Sequence, residues 1–206
     1  MTAKDYPVSL KFGATPYPYT ATGRHEGKDF ACPVGTPVVV SGVTLGLSGN
    51  TGTSTGPHLH VALFREGSHP GGIYNSVVER TYFDPSDAFS ITGIVEFAGD
   101  NGSAGKEVLI RADNGNFYRY LHLSEIKATK GQRMLTDQSI KYVFMSAGMS
   151  EAEASKQDFN YWRANADKLG KSIYDSTWND AFRKAATSGS ASYVKVSEEL
   201  FRKETK

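Results

Sequence analysis

Two histidines two residues apart close a stretch of small residues, Gly49-Asn50-Thr51-Gly52-Thr53-Ser54-Thr55-Gly56-Pro57-His58-Leu59-His60-Val61. Side chains alternate faces along a strand, so His58 and His60 point the same way. Two imidazoles on one rigid face suit a metal ligand beside an acid/base group. A bare H-x-H also describes two ordinary surface histidines. Upstream, His25 and Asp29 lie four apart in Thr22-Gly23-Arg24-His25-Glu26-Gly27-Lys28-Asp29-Phe30. That spacing would share a helix face, but Gly27 and its turn-forming neighbours favour a strand and turn; taken alone, the stretch also reads as a charged surface loop. His122 follows Tyr118 and Tyr120 at alternate positions, which predicts one shared strand face. By itself it also reads as a polar residue at a strand edge. His69, beside Pro70-Gly71-Gly72, reads as a solvated loop histidine.

The elements that must hold these residues are mostly strands. Val8, Leu10 and Phe12 alternate before Gly13, Pro16 and Pro18 break the pattern, giving an extended lead-in over 6–20. Val38-Val39-Val40 starts a buried strand after the Gly35-Thr36-Pro37 turn, and the H-x-H strand ends near Arg65. Residues 66–82 read as an exposed loop. Residues 91–98 form a strand, and a hairpin follows: Val108, Ile110 and Ala112 alternate, Asp113-Asn114-Gly115 turns, and Phe117–Leu123 returns.

Near residue 136 the glycines thin out and helical spacing takes over. Asp137 is expected to cap a helix carrying Ile140, Val143, Phe144 and Ala147, stopped by Gly148; Ser150 and Glu153 fit a capping box. Phe159, Trp162, Ala166, Leu169 and Ile173 form an amphipathic stripe, Trp178, Phe182 and Ala185 another, and Tyr193, Val196 and Leu200 a last helix. The chain thus reads as α+β: a mainly antiparallel β-sheet domain over residues 1–135 and a small helical domain over 136–206.

Composition narrows the function. Lys+Arg is 23 against Asp+Glu 22, so no basic excess points to nucleic acid or an anionic membrane surface. The single cysteine, Cys32, lies in an apolar run and reads as a buried thiol; alone, it forms no intramolecular disulfide and no Cys-based zinc site. No apolar run reaches transmembrane length, and Met1–Asp5 shows no secretory signal, so a soluble protein is expected.

The pattern H-x-x-x-D, a Gly/Ser/Thr loop and G-P-H-L-H resembles the lysostaphin-like zinc endopeptidases that cut peptidoglycan. The residues that carry the resemblance are HEGKDFACPVGTPV at 25–38 and SGNTGTSTGPHLHV at 48–61, with FGA at 12–14 and DPSDAF at 84–89. The resemblance spans about residues 7–134 and implies a lysostaphin-like fold. One departure concerns order. The family's Y-x-H-L strand normally lies between the two motifs, whereas here GIVEFAG at 93–99, EVLIRADNGNFYRYLHLSEI at 107–126 and KGQ at 130–132 follow them, as in a circular permutation. Hairpin-built sheets tolerate permutation at exposed turns.

The resemblance implies His25, Asp29 and His60 as ligands of a catalytic Zn2+, His58 and His122 as the acid/base pair, and Tyr120 as support for the developing oxyanion. It implies bacterial peptidoglycan as substrate. With the appended helices, it implies a phage lysin, either an endolysin made in the host cytoplasm or a wall-degrading component of a virion tail, the helices binding the wall or other tail proteins. A non-catalytic wall-binding or virion structural protein on the same fold is the alternative.

Overall fold

The computed structural model describes residues 1–146 and 149–164. The first unit runs from Met1 to Met134, and a second begins at Leu135. In the first, strands β1 (Val8–Leu10), β2 (Lys28–Phe30), β3 (Pro37–Val40), β4 (Val43–Leu47), β5 (Leu59–Glu66), β6 (Ile73–Asn75), β7 (Arg80–Phe83), β8 (Gly93–Asp100), β9 (Lys106–Ala112), β10 (Phe117–Leu123), β11 (Glu125–Ile126) and β12 (Arg133–Met134) follow in chain order. The large sheet has the order β1-β2-β5-β10-β9-β8-β12, and β11-β4-β3 form a small one. All pairs are antiparallel.

Alternation assigns each strand's two faces. Leu59, Val61 and Leu63 of β5, Val108 and Ile110 of β9, and Tyr118 and Tyr120 of β10 are buried together with Val38, Val40 and Leu45 of the small sheet. Burying side chains of this size contributes roughly 1.5–3 kcal/mol each. On the other face Ala62, Phe64 and Tyr82 pack with Phe12, Ile73, Leu109 and Phe117. Phe64 and Phe117 stack at 5.2 Å between centroids. Cys32 is buried, as its apolar run predicts.

Residues 66–82 are not a plain loop. They hold β6 and β7, which form a hairpin that continues the sheet beside the far half of β5, from Leu63↔Phe83 to Glu66↔Arg80. The period-2 signal is short there, and burial of Thr81 and Tyr82 supplies what it lacks. His69 is anchored in this region, with Nε2 donating to the Glu66 carbonyl at 2.6 Å.

The second unit contains α1 (Asp137–Ser146), α2 (Glu151–Ala154) and α3 (Phe159–Ala164). Ile140, Val143, Phe144 and Ala154 form its small core, with Phe159 and Trp162 packed against it. The cap of α1 is Thr136 rather than Asp137: its Oγ1 accepts from Ser139 N at 3.1 Å, leaving Asp137 as an acidic first-turn residue. Ser150 and Glu153 form the expected capping box on α2. The expected stop at Ala147-Gly148 and the helical stripes beyond Ala164 lie outside the described residues. Among the described residues no helix is long and apolar enough to cross a membrane.

Candidate metal centre

The pairing of β2 with β5 builds the centre. Asp29 stands directly opposite His60, so their side chains leave the sheet on one face. His25 comes from the turn before β2. Its main chain is clamped by the lead-in: His25 N donates to Ala14 O at 3.0 Å, and Gly13 N donates to His25 O at 2.8 Å. Its side chain is fully buried, and Nδ1–H donates to Lys11 O at 3.0 Å. A carbonyl only accepts, so His25 Nε2 is left bare.

Three donor atoms converge. His60 Nδ1 lies 2.8 Å from Asp29 Oδ1, His25 Nε2 3.3 Å from the same oxygen, and His25 Nε2 3.2 Å from His60 Nδ1. A tetrahedral ion with bonds of about 2.0–2.1 Å holds its ligands about 3.3 Å apart, so this triangle fits a first-row divalent metal. Among the described residues this is the group of histidine, cysteine and carboxylate side chains close enough to share an ion. Gly27 makes room for it: a Cβ there would lie 2.6 Å from His60 Nε2 and 2.3 Å from Val61 O.

Two more imidazoles border the triangle. His58, on the same side as His60, lies with Nε2 3.7 Å from Asp29 Oδ1, while its Nδ1–H donates to Gly56 O at 2.8 Å. His122 packs on His58 with ring centroids 4.7 Å apart, and its Nδ1–H donates to Thr51 O at 2.8 Å. Both rings therefore keep a bare Nε2.

His122 reaches this face through a break in its strand. The β10–β9 register passes from Tyr120↔Val108 to Leu123↔Lys106, one extra residue on β10, and His122 has φ +63°. This bulge turns His122 away from the face of Tyr118 and Tyr120, correcting the shared face predicted by simple alternation. It also separates Tyr120 from the centre. Tyr120 is fully buried in the core, and its hydroxyl donates to the Ala88 carbonyl, so the expected oxyanion role fails on position. Tyr17 is the tyrosine that borders the centre, its ring 4.7 Å from that of His25. Burial first, then the charge of Asp29, pushes its hydroxyl up to about 12, so it stays a protonated donor. Its place in the lead-in, close before the H-x-x-x-D motif, is the signal the sequence offers for it.

Burial alone would raise the Asp29 carboxyl. The His25 and His60 imidazoles against the carboxylate outweigh it and hold the carboxyl well below the usual carboxylate range. Burial is the main cause that lowers His60 and pushes His122 down to about 4, with repulsion from His58 adding to it at both. A histidine whose folded pKa lies below its unfolded value of about 6.5 contributes stability above that pH and loses it as pH falls toward the folded value. Thermal unfolding of chelator-treated protein is therefore expected to show stability falling between about pH 6.5 and 4, by up to about 1.4 kcal/mol per pH unit for each such histidine. His122→Gln should flatten this slope; an unchanged slope would contradict the assignment.

Residues 89–165 match the model of peptidase family M23. No curated protein and no solved structure matches the chain. The matched stretch starts at Phe89, after both histidine motifs, and takes in β8, β9 and β10 with His122. Over that stretch, the chain is similar to the peptidases of family M23.

Proposed function

We propose that the chain is a zinc-dependent endopeptidase that hydrolyses amide bonds in peptidoglycan stem or cross-bridge peptides. His25, Asp29 and His60 hold the metal, and His58 and His122 move the protons. The observation that carries this reading is the convergence of His25 Nε2, Asp29 Oδ1 and His60 Nδ1 within 3.3 Å of one another, with two further imidazoles at their edge. Similarity to peptidase family M23 supports the reaction class.

Three N/O ligands are the donor set of a catalytic rather than a structural zinc. Bound there, zinc supplies a Lewis acid for the carbonyl and a water that ionises near neutral pH. The chain's own groups do the rest. Carbonyl acceptors fix the His58 and His122 tautomers, so each offers a bare Nε2 to take the proton of the attacking water. Once protonated, the same ring returns that proton to the departing amine. Tyr17, its ring against that of His25, keeps its hydroxyl protonated and is a candidate donor to a developing negative charge.

The chain order fits a circular permutation of the lysostaphin-like arrangement. Two facts support it: β10 pairs with β5 from Phe117↔Phe64 to Leu121↔His60, and the family match begins after the H-x-H strand. Within the same reading the enzyme is a phage lysin, endolysin or virion-borne, and residues 136–206 dock it to the wall or to tail proteins. The separate apolar cluster of α1–α3 suits such an attached unit.

Metal titration followed by cleavage of synthetic stem and cross-bridge peptides tests the proposal. One zinc per chain and cleavage that stops with chelator are expected. Stoichiometric zinc without cleavage of any peptide would favour a binding protein on the same fold. Gly27→Ala is expected to weaken zinc binding about 10–100-fold by displacing the His60 ring, the range for changes beside a metal ligand. Unchanged affinity in a competition titration would contradict the ligand role of His60.

A further inference from the structure

We infer that Thr51 is a positioning residue for His122, holding the bulge that turns this histidine onto the metal-centre face; the inference rests on the peptidase reading above. A bulge breaks the ladder and leaves backbone groups without their usual partners. Here Leu123 and Lys106 stand opposite each other at the edge of the break. The Thr51 hydroxyl lies between them: Oγ1 donates to Leu123 O at 2.8 Å and accepts from Lys106 N at 2.9 Å. One side chain thus replaces the ladder bond that the extra residue displaced.

The Thr51 main chain completes the clamp. Its carbonyl is the acceptor of His122 Nδ1–H at 2.8 Å, so the same residue sets the height of the bulge and the tautomer of the ring it presents. The loop around Thr51 has little freedom to shift. A Cβ on Gly105 would lie 2.5 Å from Thr51 C, O and Oγ1, and one on Gly49 would lie 2.6 Å from His122 O. His122 meanwhile holds a left-handed backbone conformation that a non-glycine residue adopts only under constraint. Thr51 supplies that constraint from a loop 71 residues away in sequence. The chain therefore needs a hydroxyl at 51, and a threonine or serine meets the need where an isosteric valine does not.

The test compares Thr51→Val with Thr51→Ser in the full chain. Thr51→Val is expected to lower kcat about 10–100-fold, the scale of a misplacement near 1 Å, with KM and zinc stoichiometry unchanged. Thr51→Ser should stay within about threefold of wild type, since one hydroxyl restores both bonds. In a His122→Ala background, Thr51→Val should have no further effect on kcat, which a general loss of folding would not reproduce. Nitrogen-15 spectra of the His122 ring give a readout independent of turnover: a single Nδ1–H tautomer in wild type and Thr51→Ser, a mixture in Thr51→Val. Where Thr51→Val fails to fold, Gly105→Ala crowds the same residue from the other side and is expected to produce the same mixture. Native kcat with an unchanged tautomer in Thr51→Val would overturn the inference, as would an equal kcat loss in the His122→Ala background. Wild-type protein that cleaves nothing, with the tautomer still shifting in Thr51→Val, would sink the peptidase reading and leave the positioning role standing.

Discussion

Replacing His25 by alanine is expected to abolish zinc binding and turnover together. His25 supplies one of three converging donors, and its ring is fully buried. Nδ1–H on Lys11 O fixes the ring so that Nε2 points at Asp29 and His60. Alanine removes the donor, strands the Lys11 carbonyl and leaves two ligands for a metal that needs at least three from the protein. The predicted loss in kcat/KM is at least about 1000-fold, or roughly 4 kcal/mol of transition-state stabilisation. His25→Gln, which keeps much of the volume, should lose metal equally, so that zinc content and thermal unfolding together separate a lost ligand from a lost fold. Stoichiometric zinc in either folded variant would remove His25 from the ligand set.

His58→Ala is expected to divide those two effects: zinc stays and turnover goes. His58 contributes no atom to the triangle of donors, and its Nε2 stands 3.7 Å from Asp29 Oδ1. It is partly exposed at the edge of the centre, so truncation leaves the core intact. Loss of a positioned acid/base group lowers kcat by about 10²–10⁴-fold. Because His58 and His122 are in ring contact, the double variant should fall little further than the worse single one. Near-native kcat in His58→Ala would contradict the assignment and leave His122 as the sole proton carrier.

Much of this arrangement is legible in the sequence. Alternation puts His58 and His60 on one side, and the Asp113-Asn114-Gly115 turn fixes the β9–β10 hairpin. The centre itself does not follow from spacing: His25 and Asp29 meet His60 because β2 lies against β5, a pairing across 31 residues that no local pattern encodes. The departures have physical causes. A period-2 rule does not foresee a bulge, so it keeps His122 on the face of Tyr120; the oxyanion role for Tyr120 comes from the family resemblance alone, and its hydroxyl serves Ala88 in the core. The β6–β7 hairpin is hidden because its strands are short and depend on burial against β5. Tyr17 escapes notice because a proline-broken lead-in gives no periodic signal, and the contact that matters is tertiary.

The most direct test is mass spectrometry of the fragments released from purified cell walls of several cross-bridge types, with chelator and with zinc restored. A zinc endopeptidase built on His25, Asp29 and His60 is expected to release new amine-ended muropeptides that vanish with chelator, return with zinc and never form with His25→Ala; their masses would name the bond. Fragments that persist undiminished in chelator, or walls of every type left intact by zinc-loaded protein, would contradict it.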